Sequence, residues 1–118
     1  MQTPGKLNLN CYQGATFDYE MTWTAAGSAV DLTNYSARME VRPSYDSSNV
    51  IVSLASGSGI TLGGTAGTIN LLLTASETAE LDGTPSTQFL YDLELESSSG
   101  EVTRLIEGNF FIYPEVTR

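Results

Sequence analysis

The chain has 118 residues, enough for one core and too few for two. Its 14 acids against five bases, Lys6, Arg38, Arg42, Arg104 and Arg118, give a net charge of −9, which repels polyanions and argues against nucleic-acid binding. A lone cysteine, Cys11, excludes an internal disulfide and a cysteine-based metal site, and fits assembly in a reducing cytoplasm.

The first residues, Met1 to Lys6, lack the apolar run of a signal peptide, and no stretch approaches the length of a membrane span. Leu7, Leu9 and Cys11 alternate with Asn8 and Asn10, the pattern of a half-buried strand in which Cys11 is a small buried apolar group. Phe17, Tyr19, Met21 and Trp23 share one side of the next strand, opposite Asp18, Glu20 and Thr22. Ala25-Ala26-Gly27-Ser28 reads as a hairpin turn, and Asp31 with Thr33 as a local turn closed by short oxygen-bearing side chains. Ala37, Met39 and Val41 alternate with Arg38, Glu40 and Arg42 until Pro43 ends the strand.

Residues 44–49 form a polar loop, followed by short strands around Val50, Val52 and Leu54, around Ile60 and Leu62, and over 68–73. Thr74-Ala75-Ser76-Glu77 has the spacing of a helix capping box. It predicts about two turns of connector helix over 75–81, stopped by Asp82-Gly83. Strands resume with Phe89, Tyr91, Leu93 and Leu95, then Val102, Arg104 and Ile106, with a bulge expected at Gly108 and a continuation to Pro114. Eight or so strands at this spacing predict an all-β, immunoglobulin-like antiparallel sandwich. A single domain is expected over 1–118, with short extensions at 1–6 and 115–118.

With no histidine, the commonest general base and zinc ligand are missing. Asp92, Glu94 and Glu96 lie about 6.5–7 Å apart along one strand face, close to the separation of an inverting glycosidase pair. They alternate with core residues, however, and read as a solvated outer face rather than a buried acid. Asp46 stands alone in its loop, unlike the spaced acids of a calcium loop. The glycines between 57 and 67 precede a strand with no lysine and so serve turns rather than phosphate. No catalytic residue, metal ligand or cofactor is implied.

Two features point to a docking surface. Phe111 and Tyr113 occupy the face of the last strand opposite Phe110 and Ile112, and Leu105 is placed with them as an outward apolar strip. Arg42 and Arg104 are rare cations on an acidic chain, available to the acids of a neighbour. Tyr45 in the polar loop suits a second use, stacking on sugars.

Several phrases occur in order: Gly14-Ala15-Thr16-Phe17, Trp23, Val30-Asp31-Leu32-Thr33, Ala37-Arg38, Val41-Arg42, Tyr91-Asp92-Leu93-Glu94-Leu95, Val102-Thr103-Arg104-Leu105, Gly108 and Pro114-Glu115-Val116-Thr117. Together they resemble a small virion domain of tailed bacteriophages, similar to the N-terminal domain of baseplate upper proteins and to domains that anchor collagen-like fibres. The resemblance spans nearly the whole chain, and this chain departs from fibre-bearing relatives in having no Gly-X-Y repeat before Arg118. It implies a non-enzymatic structural protein, a capsid decoration or tail or baseplate adaptor, in the virion after assembly in the host cytoplasm. The partners it implies are other virion proteins and further copies of the same chain. A carbohydrate-binding host-recognition module is the alternative.

Overall fold

The computed structural model describes residues 4–81 and 88–117. Among these residues eleven strands form in chain order: β1 (Gly5–Lys6), β2 (Leu9–Tyr12), β3 (Phe17–Thr22), β4 (Thr24–Ala25), β5 (Ser28–Ala29), β6 (Ser36–Arg42), β7 (Val52–Ser56), β8 (Gly59–Leu62), β9 (Thr68–Leu73), β10 (Gln88–Glu96) and β11 (Val102–Tyr113). One α-helix, α1 (Ala75–Ala79), joins β9 to β10. The strands lie where period-two alternation places them. In β6, for example, Ala37, Met39 and Val41 are buried while Ser36, Arg38 and Glu40 are exposed.

Nine strands make one curled sheet in the order β1-β11-β10-β6-β7-β8-β9-β3, with β2 also on β11, and β4-β5 is a separate hairpin. The curl creates two layers. One holds β11-β10-β6-β7 and the other β8-β9-β3, and the chain passes between them at the two-pair contact of β7 with β8. In each layer the strands follow the neighbour order of an immunoglobulin-like sandwich, with β11 and β10 laid beside β6 in one and β9 paired with β3 in the other. The class is therefore all-β and immunoglobulin-like. Most ladders are antiparallel, as expected, but β1 and β2 run parallel to β11 and β7 runs parallel to β8.

The layers close on aromatic contacts rather than a disulfide. Phe17 of β3 meets Phe110 of β11 at 5.8 Å between ring centroids, and Tyr91 of β10 packs edge-on to Phe110 at 6.5 Å. Cys11 is wholly buried in this core, and burial pushes its thiol pKa up to about 11. Native Cys11 is therefore expected to resist a thiol reagent at neutral pH and to react only as the chain unfolds. Labelling followed across a denaturant series measures this, and rapid labelling of the folded chain would contradict it.

The hairpin turn forms as expected, with Ala26 and Gly27 both at positive φ, as a two-residue turn requires. Thr33 donates its backbone N–H and its hydroxyl to Asp31 Oδ1, at 3.0 and 2.6 Å. The capping box is also present, because Thr74 Oγ1 accepts from Glu77 N and Glu77 Oε1 accepts from Thr74 N. The helix is shorter than the expected two turns, and the Asp82-Gly83 stop lies outside the described residues.

Thr78, fully buried, fastens that helix to the end of the sandwich. Its hydroxyl accepts from Gly14 N at 3.1 Å and donates to Ala15 O at 2.8 Å. Thr78→Val keeps the volume but strands the Gly14 N–H, so about 2 kcal/mol of stability should be lost. Thr78→Ser should lose less, and denaturant midpoints read from Trp23 fluorescence compare the two.

Three expectations are corrected. Gly5 and Lys6 are not a free extension, since they pair with Ile106 and Glu107. The bulge in β11 falls at Leu105, not Gly108. Leu93 pairs with Ile106 and Glu94 with Arg104, so Leu105 is the extra residue. That insertion turns two consecutive side chains toward the core, and Leu105 is buried rather than part of an outward strip. Gly108 has another role. A Cβ there would lie 2.2 Å from the carbonyl oxygen of Leu7, where the chain crosses between β1 and β2.

Candidate protein interface

The outer face of β2, β11, β10 and β6 gathers the residues of interest. Past the bulge, β11 turns Glu107, Asn109, Phe111 and Tyr113 outward, and Arg104 points out on the near side. Strand β10 contributes Asp92, Glu94 and Glu96, and β6 contributes Arg38, Glu40 and Arg42. Lys6 joins them from β1 beside Glu107.

The charges on this face form a lattice of pairs within and across the strands. Arg38 donates to Glu94 at 2.9 Å and to Glu96 at 3.1 Å. Arg104 lies 3.5 Å from Asp92, 3.9 Å from Glu94 and 3.4 Å from Glu107, and Lys6 bonds Glu107 from the other side. Arg42 pairs with Glu40 at 2.8 Å and also donates to the carbonyl of Ser47 at 2.8 Å. Such exposed pairs add little stability, and their main consequence is that the face is nearly neutral. Arg42 and Arg104 are thus not spare cations awaiting a neighbour's acids, because acids of this chain already hold them.

Among the described residues three carboxyls are shifted. Lys6 and Arg104 hold Glu107 below the ordinary glutamate value, and the two bonds from Thr33 hold Asp31 below the ordinary aspartate value. Asp92 moves the other way, because its desolvation outweighs the attraction of Arg104. A carboxyl raised in the folded state stabilises the fold when protonated, and that contribution is lost as pH rises from 3.8 through its folded pKa. Asp92→Asn, which mimics the protonated group, should therefore melt higher than the parent at pH 7, with the difference vanishing below pH 3.8. Glu107→Gln should melt lower at pH 7. Melting curves at both pH values check the signs.

At one end of the face aromatic rings take the place of the charge lattice, with Glu115 just beyond them. Tyr12 of β2 and Tyr113 of β11, register partners in the parallel pair, stack at 5.0 Å with planes 20° apart. They are 58% and 40% exposed, unusual for adjacent large rings. Tyr113 donates its hydroxyl to Asn10 at 3.2 Å, and Phe111 is half-buried beside them. Tyr12 is the residue that sequence reasoning missed. Its signal was available, since placing Leu9 and Cys11 inward sends Tyr12 outward.

Toward β6 lies a shallow depression of about 240 Å³, lined by Glu40, Arg42, Ser44, Tyr45, Asp92 and Arg104. Tyr45 stands at its rim, 85% exposed. Among the described residues no group of three or more metal-ligating side chains converges, and no helix is long and apolar enough to cross a membrane. Of the five residues expected at an interface, Arg42, Arg104, Phe111 and Tyr113 share this face and Leu105 does not.

No family model matches the chain, and no curated protein matches it. Among solved structures it is similar to extracellular domains of the voltage-gated sodium channel beta4 subunit, described as parallel homodimers with a role in cell-cell adhesion. That similarity has 10% identity, covers 98% of each chain and has a TM-score of 0.46. A structure of voltage-gated sodium channel beta subunits, studied for multimeric cell-adhesive interactions, is similar at 11% identity. It covers 98% of this chain and 96% of that one, with a TM-score of 0.47. The immunoglobulin-like character rests on the strand order of this chain itself.

Proposed function

We propose that this chain is a non-enzymatic structural subunit of a tailed-phage virion, a capsid decoration or a tail or baseplate adaptor, that docks on other virion proteins through the outer face of β2, β11, β10 and β6. The observation that supports this most is the exposed Tyr12–Tyr113 stack at the edge of a charge lattice that neutralises itself. Aromatic anchors within a near-neutral polar surround are the usual composition of a protein-binding surface. The resemblance of the ordered phrases to those of virion domains supplies the biological setting. Mass spectrometry and a reconstruction of purified particles test the reading, with the expectation of regular, multiple copies. Absence from intact particles would remove it.

A carbohydrate-binding role has one observation in its favour, the exposed ring of Tyr45 over a depression holding Glu40, Asp92 and Arg42. If it holds, Tyr45→Ala abolishes binding on a glycan array and leaves incorporation into particles unchanged. A parent chain that retains no glycan on the array removes this alternative.

A further inference from the structure

The distribution of charge is more telling than its total. All four described cations, Lys6, Arg38, Arg42 and Arg104, lie on the outer face of β6, β10 and β11 or on β1 at its edge, where five acids accompany them. That face is therefore close to neutral on a chain of net charge −9. Asp18 and Glu20 lie on the outer side of the opposite layer, Asp31, Asp46, Glu77, Glu80 and Glu101 sit in loops and at the helix, and Glu115 follows β11 beside Gln13 and Gly14. No described lysine or arginine forms an ion pair with Asp18, Glu20, Asp31, Asp46, Glu77, Glu80 or Glu101.

Two copies of such a chain repel over most of their surfaces. Under a two-fold axis each surface meets itself, so an acidic patch meets an acidic patch and an aromatic patch meets an aromatic one. We infer that the chain forms an isologous homodimer through the outer face of β2, β11 and β10, with the axis beside the Tyr12–Tyr113 stack. There the uncharged rings of both copies, with Phe111, supply the desolvated centre, and the charge lattices form the rim. At a strand spacing of about 4.8 Å and a rise of about 3.3 Å per residue, β2, β11 and β10 span roughly 400 Å², and roughly 500 Å² with β6 included. That is below the roughly 600 Å² per partner of the smaller stable interfaces, so the association expected is a weak one, which sets the concentration range of the test. The inference rests on reading this face as a docking surface, and it names the partner as a second copy.

Sedimentation equilibrium of the purified chain, up to about 1 mM, tests this directly. The expected species is twice the monomer mass. Tyr12→Ser combined with Tyr113→Ser should weaken association at least about tenfold. Leu72→Ser, which changes an exposed apolar residue on the outer side of the other layer, should leave association unchanged. If the double variant proves poorly folded, the parent's concentration-dependent amide shifts serve instead, and they should cluster on β2, β11 and β10. A monomer at every concentration overturns the dimer. So does a dimer that ignores the tyrosines and dissolves with Leu72→Ser. A monomer still found in regular copies on particles assigns the face to a different virion protein, which refutes the dimer but keeps the virion reading. A dimer absent from particles keeps the dimer and removes the virion reading.

Discussion

Replacing Phe110 by Ala should cost about 3–5 kcal/mol, a large part of the roughly 5–15 kcal/mol that holds a domain of this size together. Phe110 is fully buried, and its ring touches both layers, Phe17 from β3 and Tyr91 from β10. Truncation loses the transfer free energy of the ring and opens a cavity where the layers close. The strands around it are tied into ladders and can collapse only in part. Phe111→Ala is the natural control, because Phe111 is half-buried on the outer face and its loss opens no internal cavity. Denaturant midpoints for the two neighbouring substitutions should differ severalfold in free energy. Equal effects would mean that Phe110 does not join the layers.

The second large effect is expected at Gly108, from gaining a single methyl group. Gly108 sits opposite Tyr91 in the ladder, and the chain passes directly over it between β1 and β2. Because no side chain intervenes, the Tyr91 hydroxyl reaches across and donates to Leu7 O at 2.6 Å. Burial raises the pKa of that hydroxyl, so it stays a donor throughout the accessible pH range. In Gly108→Ala the new Cβ falls on the Leu7 carbonyl, a backbone group that cannot rotate away. Relief requires lifting the crossing off β11, which breaks the tyrosine bond and loosens the pairing of Gly5 and Lys6. A loss of about 2–4 kcal/mol is expected from overpacking and the stranded hydroxyl together. Tyr91→Phe, which removes the bond without the clash, should cost about 1 kcal/mol. If Gly108→Ala costs no more than Tyr91→Phe, the close approach is not what requires glycine there.

The same crossing shows where reading the sequence succeeds and where it stops. Alternation in β3, β6, β9 and β10 placed nearly every core residue correctly, because a pleat allows each side chain one of two sides. It misplaced Leu105, because parity holds only while the register is unbroken. The bulge between Leu93 and Glu94 of the partner strand reverses parity partway along β11. Glycine offered a plausible place for that bulge, yet Gly108 answers to a contact a hundred residues away in sequence. Arg42 and Arg104 were recognised as surface cations; Glu40, two residues from Arg42 on the same face of β6, was legible as its partner, whereas Asp92 and Glu94 beside Arg104 sit on another strand, in neighbours that alternation does not rank.

Local physics thus determined the all-β class, the hairpin at Ala26-Gly27, the capped helix and the inward set of apolar groups, since each depends on residues within a few positions of one another. Tertiary structure alone decided the parallel pairing of the first strands with the last and the closing of the charges on themselves. It also brought Tyr12 against Tyr113. These depend on register between segments as much as a hundred residues apart, and register follows from how the whole sheet curls rather than from any stretch of sequence.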